Sequence, residues 1–208
     1  MVDLRPLGVY LHAVPTLDAV AEALSRRQPQ LAAPAERRAA VAIVLRPATA
    51  GAEVLLMRRA ESPRDPWSGH ISFPGGHQDP SDPSLRATAE REALEEVGLA
   101  LSRQARFLGA LDELPAIARG RRTGMAISPF VYGLSVVPDL APNEEVAELF
   151  WASLGPMLRG ERDSVRPYEH EGQHYDLPAF AVGGKIIWGL TYQMLRGLLR
   201  VVGSAPGR

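Results

Sequence analysis

Apolar and polar positions along this chain follow two periods. Ala40 to Leu45 (AVAIVL) and Val54 to Arg59 (VLLMRR) are apolar, β-branched-rich runs, and the turn-forming RPATAGAE between them predicts a β-hairpin. Alternation sends Arg58 and Arg59 to opposite faces of the second strand. A short strand follows at 71–73. Further strands are predicted over 105–114 and 125–135, with PAIARGRRTG read as a basic loop between them. An apolar run covers Leu149 to Leu154, and FAVGGKIIW gives a glycine turn and a last strand. Helical spacing marks Leu17, Val20, Ala21 and Leu24 within 17–31. It also marks 190–202, with Leu195, Leu198, Leu199 and Val202 on one side and Arg196 and Arg200 elsewhere. Gly160 to Asp176 is too charged for core and reads as a long loop bordering a pocket. Residues 1–36 read as an N-terminal helical extension packed on the main domain, 37–208. A contact in a homodimer is the second reading of that extension.

One helix carries the candidate chemistry. In EREALEEVGL, Glu92, Glu95 and Glu96 (i, i+3, i+4) fall within an arc of about 100°. Crowded carboxylates repel, and the glutamates alone are compatible with a solvated face. The residues before them favour a cation site. Phe73-Pro74-Gly75-Gly76 puts two glycines where a strand gives way to a loop, allowing close backbone approach. Asp82 reads as the N-cap with Pro83 at the first helical position, and Gly98 reads as the C-terminal cap. Oxygen ligands on adjacent turns suit a hard ion, Mg²⁺ or Mn²⁺.

Composition narrows the rest. The chain has 208 residues, 46% hydrophobic, enough for one sizeable α/β domain. Net charge is −1 and the pI about 6.5, so no basic field points to nucleic acid. Lys185 is the single lysine, and no cysteine is present to make a disulfide, a thiolate metal site or a nucleophile. No stretch approaches the ~20 apolar residues of a membrane span, and MVDLRPLGVYLHAVP lacks a signal-peptide core. The expectation is a soluble cytoplasmic protein without nucleic-acid or membrane partners. Trp67, the large apolar group of the loop ESPRDPWSGH, is read either as a plug on the sheet or as a base-stacking residue. His70 reads as a hydrogen-bonded turn residue.

PGG followed by REALEEVGL resembles the Nudix box, G-x5-E-x7-R-E-U-x-E-E-x-G-U with U aliphatic, through Arg91, Glu92, Glu95, Glu96, Gly98 and Leu99. The chain departs from it at Asp82, which stands for the first glutamate, and in one extra residue before Arg91. The same departure is a feature of Nudix proteins that resemble coenzyme A pyrophosphatases. Their upstream signature is similar to Leu55, Leu56, Arg59, Ala60, Arg64, Gly69 and FPGG here, although Met57 replaces a threonine and one residue is added between Arg64 and Gly69. The resemblance implies a Nudix-type α/β/α sandwich with a mixed β-sheet between helices. It implies metal-dependent hydrolysis of a nucleoside diphosphate linked to another moiety. Glu92 and Glu96 would be the main ligands, with Glu95 as a ligand or acting through water. Arg91 would hold a glutamate, Gly75 and Gly76 would border the metal, and Arg59 and Arg64 would grip phosphate. The base would be Glu145, with Glu144 and Glu148 as rivals, or a glutamate of the helix. Coenzyme A would give 3′,5′-ADP and 4′-phosphopantetheine. The alternatives are a broader nucleotide-sugar or ADP-ribose diphosphatase, and a non-catalytic nucleotide sensor.

Overall fold

The structure, a computed structural model, describes residues 15–49, 51–63, 67–118, 121–170 and 172–203; of residues 117, 118, 121 and 122 it describes the backbone alone. In chain order the elements are α1 (Leu17–Ser25), β1 (Arg37–Ala48), β2 (Gly51–Arg59), β3 (Ile71–Ser72), β4 (Gly75–His77), α2 (Leu85–Val97), α3 (Leu101–Gln104), β5 (Arg106–Ala110), β6 (Leu114–Ala118), β7 (Arg121–Gly133), β8 (Val146–Ser153), α4 (Leu154–Leu158), β9 (Asp163–His170), β10 (Gln173–Val182), β11 (Lys185–Trp188) and α5 (Gly189–Gly203).

The main sheet runs β3-β2-β1-β7-β5, with β4 on β1, β6 on β7 and β8 on β2. It is mixed: β1 and β7 are parallel, and β1 and β2 form the antiparallel hairpin expected from the sequence. Period-two alternation distributes β1 and β2 between two layers. Ala40, Ala42, Val44, Leu55 and Met57 pack against Ala89, Ala93 and Val97 of α2. Ile43, Leu45, Val54 and Leu56 turn the other way, toward Val20 and Leu24 of α1 and Leu195, Leu198, Leu199 and Val202 of α5. The result is the α/β/α sandwich. Alanine on both sides of the α2 contact leaves little side-chain bulk between helix and sheet, so α2 lies close over β1 and β4.

Four expectations are corrected. The stretch expected as a loop at 160–176 is mostly the hairpin β9–β10, which joins β11 in a separate three-stranded sheet. Its strands are largely exposed, so they carry charge that a buried strand would exclude. The expected loop at 115–124 is mostly strand, β6 folding back on β7. Arg196 is buried rather than on an open side, because α5 is packed by α1, α4 and the small sheet; its guanidinium lies 5.9 Å from the Tyr192 ring centroid. The N-terminal helix stops at Ser25, short of Leu31, with Pro29 disfavouring helix at the residue before it. Among the described residues no helix is long and apolar enough to cross a membrane.

Candidate functional site

The site is built where β4 meets the α2 face. Gly75 and Gly76 pair with Val41 and Ala40 across an antiparallel contact. A β-carbon on Gly75 would run into the Ala40 carbonyl oxygen, and one on Gly76 would fall on the Glu92 carboxylate. Gly75 therefore requires glycine for space, because it meets backbone, whereas a side chain at position 76 would have to displace the Glu92 carboxylate. The Gly75 N–H donates to Glu96 Oε2 at 2.8 Å. Glu96 is 3% exposed, and Arg59 Nη1 stands 3.8 Å from its other oxygen. Burial is the main cause that pushes the Glu96 carboxyl up to about 7, with Glu92 and Glu145 adding repulsion against the pull of Gly75 and Arg59. Burial likewise raises Glu92, and Glu95 and Glu145 add to it while Arg91 opposes. Three carboxylates from α2 and the loop before β8 thus share one negative field.

Glu145 reaches the field because its backbone is fixed. Its carbonyl accepts from Ala60 N at 2.8 Å, and its N–H donates to Asn143 Oδ1 at 2.9 Å. Asn143 N in turn donates to the Glu96 carbonyl at 2.9 Å. Glu148 is committed elsewhere, 2.8 Å from Lys185 Nζ and 3.7 Å from Arg58 Nε. Arg58 and Arg59 do diverge as alternation requires, and Arg59 is the one that meets the helix.

Arg91 holds the loop and the helix together. Its Nε and Nη2 each donate to Asp82 at 3.1 Å, Nη2 also donates to the His77 carbonyl at 3.1 Å, and Nη1 lies 3.0 Å from Glu92 and 2.9 Å from Glu95. Asp82 is not the N-cap. Ser84 caps α2, its hydroxyl accepting from Ala87 N at 3.1 Å. Asp82 instead accepts from Arg91, from the Thr88 hydroxyl and from Asp79 N, and the Arg91 bonds are the main cause holding its carboxyl down at about 2. The sequence signal for this role was present: an acid where the box motif has its first glutamate, opposite an arginine. Gly98 is the left-handed C-cap expected, at φ 74°.

Glu95 stands apart, its side chain 53% exposed and tied to Arg91. Arg64 lies outside the described residues. Trp67 packs against the core beneath the sheet, matching the plug reading. Among the described residues no three acidic or histidine side chains are already gathered at ion-holding distance, and Arg91 lies 3.0 Å from Glu92. The donor set nevertheless fits a hard divalent cation: hard carboxylate oxygens, one of them buried, in a field that a cation would relieve.

A family model described as the NUDIX domain matches residues 36–169, well over half of the 208. The chain belongs to the Nudix family. It is 36% identical over 170 residues to the Nudix hydrolase NudL of Yersinia pestis, covering 80% of each chain. It is 40% identical over 118 residues to a protein of Schizosaccharomyces pombe, covering 55% of this chain and only 36% of that relative. The fold matches that of the Nudix hydrolase RenU of M. smegmatis, with TM-score 0.52 and 20% identity over 82% of this chain and 88% of the other. The helix that resembles the Nudix box is α2, and the glycine pair expected at the start of a loop lies instead in the short strand β4 ahead of it.

Proposed function

We propose that this Nudix hydrolase cleaves the pyrophosphate of a nucleoside diphosphate linked to another moiety, and that coenzyme A or its acyl derivatives are the preferred substrates. The observation that carries the reading is the buried Glu96, held by the Gly75 N–H beside Glu92, Glu145 and Arg59. Water is a poor nucleophile toward a polyanionic diphosphate. Bound Mg²⁺ or Mn²⁺ supplies charge neutralisation, a lowered water pKa and stabilisation of the leaving phosphate. Glu92 and Glu96 would hold the cation, with Glu95 contributing through water. Arg91 keeps Glu92 oriented from its anchor on Asp82. Arg59 neutralises one phosphoryl group, and Arg64 is proposed to assist. Glu145 takes the proton of the attacking water as its oxygen bonds to phosphorus. The bridging P–O bond breaks, and two phosphate monoesters leave.

The coenzyme A preference rests on the upstream residues Leu55, Leu56, Arg59, Ala60, Gly69 and FPGG. The second reading is a broader ADP-ribose or nucleotide-sugar diphosphatase. Retention of Glu92, Glu95 and Glu96 favours an enzyme over a nucleotide sensor. A nucleotide-diphosphate panel, run with Mg²⁺ and with EDTA, tests the assignment. Release of 3′,5′-ADP from coenzyme A should exceed release of AMP from ADP-ribose, and EDTA should stop both. The reverse order of substrates selects the second reading, and an intact tightly bound nucleotide selects the sensor.

A further inference from the structure

The β9–β10 hairpin sorts its side chains by chemistry. Residues opposite each other in an antiparallel pair share a face. The register opposes Ser164 to Ala179, Arg166 to Leu177, Tyr168 to Tyr175 and His170 to Gln173, and Ala179 to Trp188 on β11. That face carries cationic, aromatic and imidazole side chains and no carboxylate among the described strand residues. The hairpin's described acids, Asp163, Glu169 and Asp176, all fall on the other face. The sorted groups are also assembled. Arg166 Cζ lies 4.7 Å over the Trp188 ring, Tyr168 is 6.0 Å from Trp188, and His170 stacks on Tyr168 at 6.2 Å and 22°. His70, the residue before β3, joins them 4.9 Å from Trp188. Its carbonyl accepts from Arg59 N at 3.0 Å, so the surface adjoins the end of β2 that supplies Arg59 to the acidic helix.

Packing accounts for only part of this composition: on the sorted face Ala179 is buried and its neighbours are partly covered. The small sheet is anchored through its opposite face, where Phe180 and Ile187 are fully buried. On the sorted face Trp188, Tyr168, His170 and His70 are half-buried and Arg166 is exposed. Flat π surfaces beside a guanidinium suit a ligand that is both planar and anionic. A nucleotide is such a ligand, with its base as the plane and a ribose phosphate as the charge.

We propose that Trp188, Tyr168 and His70, with Arg166 and His170, form a subsite that stacks the purine of the substrate and takes a phosphate carried on its ribose. The proposal rests on the reading above that the substrate is a nucleoside diphosphate derivative. The test is a calorimetric titration of the 208-residue chain with 3′,5′-ADP and, separately, with 5′-AMP. EDTA is present throughout, so the readout does not pass through a metal. Wild type should bind 3′,5′-ADP more tightly than AMP. Arg166→Gln, at an exposed position, should weaken 3′,5′-ADP about tenfold while melting at the wild-type temperature. Trp188→Leu should weaken both nucleotides. Wild-type affinity in both variants, or a wild-type chain that binds neither nucleotide, overturns the subsite. The two readings fail separately. If coenzyme A is not hydrolysed but Arg166→Gln weakens nucleotide binding, the substrate assignment falls and the subsite stands. If coenzyme A is hydrolysed and the variants bind as wild type does, the subsite falls and the substrate assignment stands.

Discussion

Removing the Glu96 charge should stabilise the metal-free protein at alkaline pH while abolishing turnover. The folded carboxyl titrates at about 7 against an ordinary 4.5, chiefly because it is buried. Its folded pKa is raised, so the native state holds the proton that the unfolded chain releases. The contribution of Glu96 to stability is therefore fully present below pH 4.5 and is lost as pH rises through 7. The full loss is about 3 kcal/mol. In a domain of this size that is about 6–12 °C of melting temperature. Glu92 is shifted in the same direction and adds to the loss. Asp82 works the other way, but its carboxyl sits at about 2, so its contribution changes below pH 4 and leaves the window of pH 5 to 8 to the glutamates. Thermal melts in EDTA across that window should show wild type falling with pH and Glu96→Gln much flatter. The side-chain amide oxygen of that variant can still accept the Gly75 N–H. Adding Mn²⁺ at pH 8 should restore wild type, by about 3 kcal/mol at a hundred times its dissociation constant, and leave Glu96→Gln unmoved. An EDTA-treated variant whose pH slope equals that of wild type would refute the reasoning.

Three other outcomes are expected. Gly76→Ala should weaken Mn²⁺ binding at least tenfold by pushing Glu92 aside, while the melting temperature changes little; titration followed by electron paramagnetic resonance checks it, and unchanged affinity contradicts the close contact. Asp82→Asn should cost about 1–3 kcal/mol in urea unfolding, because the Arg91, Thr88 and Asp79 donors lose a charged acceptor. Ser84→Ala should cost about 1 kcal/mol by the same measurement, and an equal loss from a cap at Asp82 is excluded by the geometry.

The alternating runs of β1 and β2, the stripe of α5 and the glutamate face of α2 could be read from the chain, because each depends on the period of a local element. Gly75, Gly76 and Gly98 were legible for the same reason: a missing β-carbon is a local property. The sequence determined which groups a helix turn would bring together, Glu92 with Glu96. It did not determine what lies across the sheet from them. That Glu145 rather than Glu148 shares their field follows from where β8 is paired and where Lys185 arrives. That Asp82 anchors Arg91, leaving the cap to Ser84, follows from how the loop folds back over the helix. The hairpin at 163–182 was hidden because a half-exposed sheet can carry charge on both faces, and its sorting of acid from aromatic shows only once the register pairs one strand with the other. Local periodicity is written in neighbouring residues, whereas register and burial are set by residues far apart in the chain, and the Glu96 carboxyl is perturbed because of the second kind of information.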